Sequence, residues 1–153
     1  MRSRLIALIL LLETAALAHE PTIVEACTQL VQDYAYSRDH DDAKGYANVF
    51  AQNGVFLFRG QQFEGRAAIQ KRMQDSAGQT TRHVMSNIRV TIESPEKARV
   101  VSYVTVTIAE TKGLPIQVPG VTALGEYHDI CVKTPEGWKI QKRQFVDVFT
   151  FDN

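Results

Sequence analysis

The strongest constraint in this chain is a change of period at about Thr80. From there the apolar residues alternate with period two almost to the end. "TRHVMSNIRVTIE", "KARVVSYVTVTIAE", "TALGEYHDICVKT" and "GWKIQKRQFVDVFTF" are four long strand candidates. "SPEK" and "TPEG" read as turns, and "KGLPIQVPG" as a longer Pro/Gly loop. Long neighbouring strands joined by such turns predict a mostly antiparallel sheet.

Before Thr80 the period is helical. Ile23, Cys27, Leu30, Val31 and Tyr34 recur at three- and four-residue steps and share one face. Pro21 and Thr22 suit its start, and this helix is expected to run to about Arg38. A second, shorter helix carries Ala43, Tyr46, Ala47, Val49 and Phe50, with Asp41 or Asp42 as its N-cap. "VFLFRG" and "QQFEG" read as a hairpin, and "GRAAIQKRMQDSA" as a third helix with Ala67, Ala68, Ile69 and Met73 inward. The expected fold is α+β: a curved, mostly antiparallel sheet wrapped around three N-terminal helices as a cone-shaped barrel with an open mouth.

The length of 153 residues suits one domain. "MRSR", the short apolar run "LIALILLL" and the small-x-small triplet Ala16-Leu17-Ala18 read as a signal peptide over residues 1–18, cleaved after Ala18. An uncleaved amphipathic first helix is the alternative. Residues 19–153 then form the domain, periplasmic or secreted, with no membrane attachment after cleavage. Cys27 and Cys131 are far apart and in no metal-binding spacing. They read as small buried hydrophobes, although an oxidising compartment would also permit a disulfide. Seventeen basic residues balance seventeen acidic ones, so charge points to no nucleic-acid partner.

Several familiar sites are absent: a G-x-S-x-G elbow, a glycine-rich phosphate loop, H-E-x-x-H and C-x-x-C. The four histidines are scattered, so no metal site is expected. The informative residues are polar groups inside apolar patterns. "YAYSRDHDD" (Tyr34 to Asp42) packs carboxylates, phenols and a histidine into one helix end. His83 opens a strand, Tyr103 alternates with Val104, and Tyr127 shares a strand face with Asp129. Each has a plain structural alternative: Asp39 a helix cap, Tyr34 a core residue, His83 a satisfied strand histidine.

Taken in order, "DYAYSRDHDDAKGYANVFAQNGVF", "FEGRAAIQKRM", "TRHVMSNIRV" and "GEYHDICVKTPEGWKIQKR" resemble the nuclear transport factor 2-like superfamily. Within it they resemble the SnoaL-like group, which includes scytalone dehydratase and bile-acid dehydratases. The resemblance implies a cone-shaped pocket with no metal or organic cofactor. It implies Asp39 and His83 as a catalytic pair and Tyr34 as the supporting phenol. Tyr46, Phe58, Met85, Tyr103, Tyr127 and Asp129 are expected to contact substrate. The second histidine of scytalone dehydratase is missing, since Ala109 and Glu110 stand near its place. The C-terminal arginine of the bile-acid enzymes falls at Asp147 or its neighbours.

The expected function is a lyase (dehydratase) or isomerase acting on a hydrophobic oxygenated small molecule, such as a steroid, terpenoid or polyketide, by His-based proton abstraction. A non-catalytic binding or dimerisation domain is the alternative, and an epoxide hydrolase-like activity the third. Strands such as "KARVVSYVTVTIAE" are apolar on both faces, so a homodimer through the outer sheet face is expected.

Overall fold

The structure is a computed structural model that describes residues 20–151. The expected signal peptide and its cleavage site lie outside the described residues. Helix α1 (Ile23–Asp39) begins with a capping box, in which Thr22 caps Glu25 and the Glu25 side chain returns to the Thr22 backbone. Its expected stripe is the buried one: Cys27, Leu30, Val31 and Tyr34 all face the core. Helix α2 (Ala43–Asn48) is capped by Asp42, whose carboxylate accepts from the Gly45 N–H at 2.8 Å.

Strand β1 (Phe50–Phe58) starts earlier than the sequence pattern suggests. Phe50, expected at the end of the second helix, is its first residue and pairs with Ile140. β1 turns back as β2 (Gln61–Glu64), and helix α3 (Gly65–Gln74) follows. Ile69 and Met73 of α3 are buried, but Ala67 is exposed, contrary to expectation.

The long strands are β3 (Thr80–Ser94), β4 (Lys97–Ala109), β5 (Ala123–Thr134) and β6 (Gly137–Phe149). Among the described residues the sheet has six strands in the order β2-β1-β6-β5-β4-β3. All neighbours are antiparallel except β1 with β6. The fold is thus the expected α+β cone, with three helices against a curved sheet. Its core joins Cys27, Val31 and Tyr34 of α1 to Val100 and Val104 of β4, Tyr127 and Cys131 of β5, and Ile140 of β6.

Two features of the sheet shape the functional site. β3 is an edge strand, so one side of its backbone is free for α1. β6 carries a bulge: Cys131 pairs with Ile140 but Ile130 pairs with Lys142. Gln141 is the extra residue, and the inward side of β6 moves from Ile140 to Arg143 and Phe145.

Candidate active site

The last residue of α1 is Asp39. A carboxylate there stands at the negative end of the helix dipole, which is unfavourable on its own. The free edge of β3 compensates. Asp39 Oδ1 accepts from the Thr81 hydroxyl at 2.8 Å and from His83 Nδ1 at 2.7 Å. Asp39 Oδ2 accepts the His83 backbone N–H at 2.8 Å. Both side chains of the pair are only 8% exposed. Burial pushes the Asp39 carboxyl up, but the His83 ring and backbone bonds, the nearby imidazole charge and the Thr81 hydroxyl outweigh it. The net result holds Asp39 below the ordinary aspartate range.

This bond fixes the imidazole. With Nδ1–H donated to Asp39, the lone pair lies on Nε2, which has no protein partner among the described residues. The His83 ring stands edge-on to Tyr34, with ring centres 6.3 Å apart.

Tyr34 is the centre of a phenol cluster. Its hydroxyl lies 3.2 Å from that of Tyr46 and 3.3 Å from that of Tyr127. Three O–H groups joined by two links leave one hydrogen over, whichever way each bond runs. Tyr34 and Tyr127 line the cavity, so either can present a hydroxyl donor to a ligand oxygen. Burial, and then the neighbouring Tyr34, push the Tyr46 and Tyr127 phenols well above the ordinary tyrosine range. They stay protonated donors.

Behind the cluster lies a second ionic pair. Arg143 donates Nε–H to Asp129 Oδ1 at 2.8 Å and Nη2–H to Oδ2 at 2.7 Å, and both side chains are fully buried. Its guanidinium lies against both Tyr34 and Tyr127, 4.0 and 4.4 Å from the ring centres. Burial opposes its charge, but Asp129 more than compensates and keeps it protonated. Arg143 Nη1 has no hydrogen-bond partner.

The cavity in front of these groups measures about 80 Å³. It is lined by His83, Tyr34 and Tyr127, by the apolar side chains of Phe58, Val106, Ile108, Ala123 and Phe145, and by Arg38, Arg59 and Arg72. The structure therefore brings together Asp39, His83, Tyr34, Tyr127 and Phe58. Tyr46 stands behind Tyr34 and reaches the cavity through it. Met85 lies farther along β3, packed against the core edge.

Two residues named from the sequence stand elsewhere. Tyr103 points to the outer face and is 46% exposed, because Ser102 and Val104 take the inward positions of β4. Asp129 faces inward as alternation requires, but both its oxygens are taken up by Arg143. Sequence reasoning missed two arginines. Arg143 escaped because the bulge at Gln141 reverses the parity of β6, and the arginine sought at Asp147 is four residues too late. Asp147 instead pairs with Arg59 at 2.7 Å. Arg72 had a usable signal: it lies three residues after Ile69 and next to Met73, at the edge of the buried face of α3. Among the described residues no group of three or more His, Cys, Asp or Glu side chains could hold a metal ion. No helix among them is long and apolar enough to cross a membrane.

Comparison with known proteins places this geometry in a family. The family model of the SnoaL-like domain matches residues 21–144. The chain belongs to the SnoaL-like family. Among solved members of the wider fold, a Novosphingobium aromaticivorans protein provisionally called a scytalone dehydratase is 26% identical, with a TM-score of 0.72 over 84% of this chain and 85% of that one. Rv3472 of Mycobacterium tuberculosis, of unknown function, is 24% identical, with a TM-score of 0.70 over 80% and 74%. ActVI-ORFA of Streptomyces coelicolor is 18% identical, with a TM-score of 0.68 over 80% and 95%. No curated protein matches the chain by sequence. The last two likenesses carry the SnoaL-like fold alone.

Proposed function

We propose that this SnoaL-like protein is a cofactor-independent lyase of the dehydratase type, or an isomerase, acting on a hydrophobic oxygenated small molecule. The observation that carries this reading is the Asp39–His83 contact, closed into an aromatic cavity beside the Tyr34 and Tyr127 hydroxyls. His83 Nε2 takes a proton from a carbon α or vinylogous to a carbonyl. The electron pair moves onto the carbonyl oxygen, where a phenol of the tyrosine cluster meets the developing charge. Asp39 stabilises the imidazolium that forms and holds its orientation. The imidazolium then returns its proton. Delivered to a departing hydroxyl it releases water, and delivered to another carbon it completes an isomerisation.

The cavity is far smaller than the roughly 300–1,000 Å³ that encloses a drug-sized ligand. A steroid or polyketide would therefore place only its reacting end inside. A hydrolase acting through a carboxylate would need a spare one, and Asp39 is already occupied by Thr81 and His83. This favours proton transfer over epoxide hydrolysis. The test is mass spectrometry of ligands that copurify with the protein, followed by turnover of the ligand or its hydrated or unsaturated partner. Conversion by wild type and none by His83→Ala supports the reading. A ligand bound and released unchanged by wild type would make the protein a binding domain.

A further inference from the structure

The cavity holds an arginine that no carboxylate among the described residues pairs with. Arg72, on α3, donates Nη1–H to the Tyr46 hydroxyl at 3.0 Å. No carboxylate pairs with it among the described residues, whereas Arg59 has Asp147 and Arg143 has Asp129; Arg38, also without a carboxylate, donates to the Gln79 amide oxygen at 2.9 Å. Burial opposes its charge, and its hydrogen bond to the Tyr46 hydroxyl favours it. Its guanidinium face lies over Phe56, Phe58 and Phe63, at 4.9, 4.5 and 5.3 Å from their ring centres. The rings occupy the face and leave the N–H edge for hydrogen bonds. Nε and Nη2 have no partner among the described residues, yet they are not sealed off from the surface as Arg143 Nη1 is. Arg72 also lines the cavity with His83.

We infer that the ligand of this cavity carries a carboxylate, or an equally charged oxyanion, and that Arg72 binds it. This rests on taking the cavity as the substrate site. A planar guanidinium edge matches two carboxylate oxygens, and the charge it lacks in the free protein is supplied by the ligand. Partly buried charges without partners are costly, so an anion is the ligand chemistry that relieves this site most. The other carboxylates nearby do not compete: Asp39 is held by His83 and Thr81, Asp147 by Arg59. The small volume adds a positional limit. Arg72 and His83 line one cavity of about 80 Å³, so an anion on Arg72 shares that small space with a carbon facing His83. The substrate class is thus an acid whose charged group lies close to the reacting carbon.

The test separates anion recognition from catalysis. Cinnamate and cyclohexanecarboxylate, each with its neutral amide, are titrated calorimetrically into wild type, Arg72→Leu, Arg72→Lys and His83→Ala. Melting of each variant confirms that it is folded. Wild type should prefer acid over amide by about ten- to a hundredfold, the span of a hydrogen-bonded charge. Arg72→Leu should abolish that preference. Arg72→Lys should retain part of it, because charge remains while the planar fork is lost. His83→Ala should leave it intact. Acids bound no better than amides, or a preference that survives in Arg72→Leu, overturns the inference. Neither outcome touches the His83 reading, which turnover alone decides. If Arg72→Leu fails to fold, loss of paired-oxygen recognition in Arg72→Lys carries the test, and a preference there equal to wild type overturns it.

Discussion

Two carboxylate–cation pairs flank the tyrosine cluster, and they are built to opposite ends. Asp129–Arg143 is sealed, bidentate and permanently charged, with its guanidinium packed against two rings. Asp39–His83 borders the cavity, and its cation appears only when a proton arrives. The first pair cannot exchange protons with a ligand, because arginine does not titrate in proteins and the cavity does not reach it. The second can, because one imidazole nitrogen is tied down and the other is left open. The comparison teaches that burial of an ion pair does not mark a reactive site. What marks it is a titratable member with a free atom facing a space.

The largest effect should come from breaking the sealed pair. Asp129→Ala leaves Arg143 charged and unpaired in the core, and should lower stability by about 3–5 kcal/mol. Urea unfolding checks this. A loss under about 1 kcal/mol would mean that Arg143 finds water or another partner, and the contrast between the pairs would collapse.

Tyr34→Phe should rank next. It keeps the ring against Arg143 but removes the hydroxyl that joins Tyr46 to Tyr127. Leaving two buried phenols short of a partner costs about 1–3 kcal/mol, visible as a lower melting temperature. Its effect on turnover should be smaller than that of His83→Ala, because Tyr127 still lines the cavity.

Asp39→Asn sharpens the titratable side. The folded Asp39 carboxyl lies below its ordinary range, so it binds a proton less readily folded than unfolded. Its contribution is therefore complete above the unfolded pKa and is lost as pH falls through the depressed folded value. Denaturation curves should show wild type more stable than Asp39→Asn at neutral pH, by about 1 kcal/mol. The gap should close in strong acid. A gap that is constant with pH would mean that the carboxylate charge contributes nothing.

The smallest effect on the fold should come from the outer sheet face, where Val84 and Tyr103 are exposed. Sedimentation or light scattering at micromolar concentration should give a homodimer through this face. Tyr103→Glu should shift it toward monomer with the monomer fold unchanged. Wild type that is monomeric throughout would remove the proposed partner.

Much of this arrangement is legible in the chain. The buried stripe of α1 follows directly from its three- and four-residue spacing, and the long strands follow from period two. Asp39 and His83 are paired by the order of segments in which the chain resembles its family. The misses have local causes. Phe50 looked helical because Ala47, Val49 and Phe50 continue an apolar run, while the end of α2 is set by tertiary pairing with Ile140. Tyr103 looked inward because β4 is apolar on both faces, so alternation gives no preferred side. Arg143 was hidden by a one-residue bulge, which pattern reading cannot see. Close approach at a single glycine was equally invisible: a Cβ on Gly125 would stand 2.3 Å from the Val146 carbonyl and 2.9 Å from the Phe145 ring.

The most direct test of the central claim is a turnover cycle on the Asp39–His83 pair, using the ligand that copurifies. His83→Ala and Asp39→Asn should each lower kcat by about two to four orders of magnitude. The double variant should be little worse than either, because the two act as one unit. Ligand affinity should move far less than rate. Full turnover in His83→Ala, or losses that simply multiply in the double variant, would contradict the account.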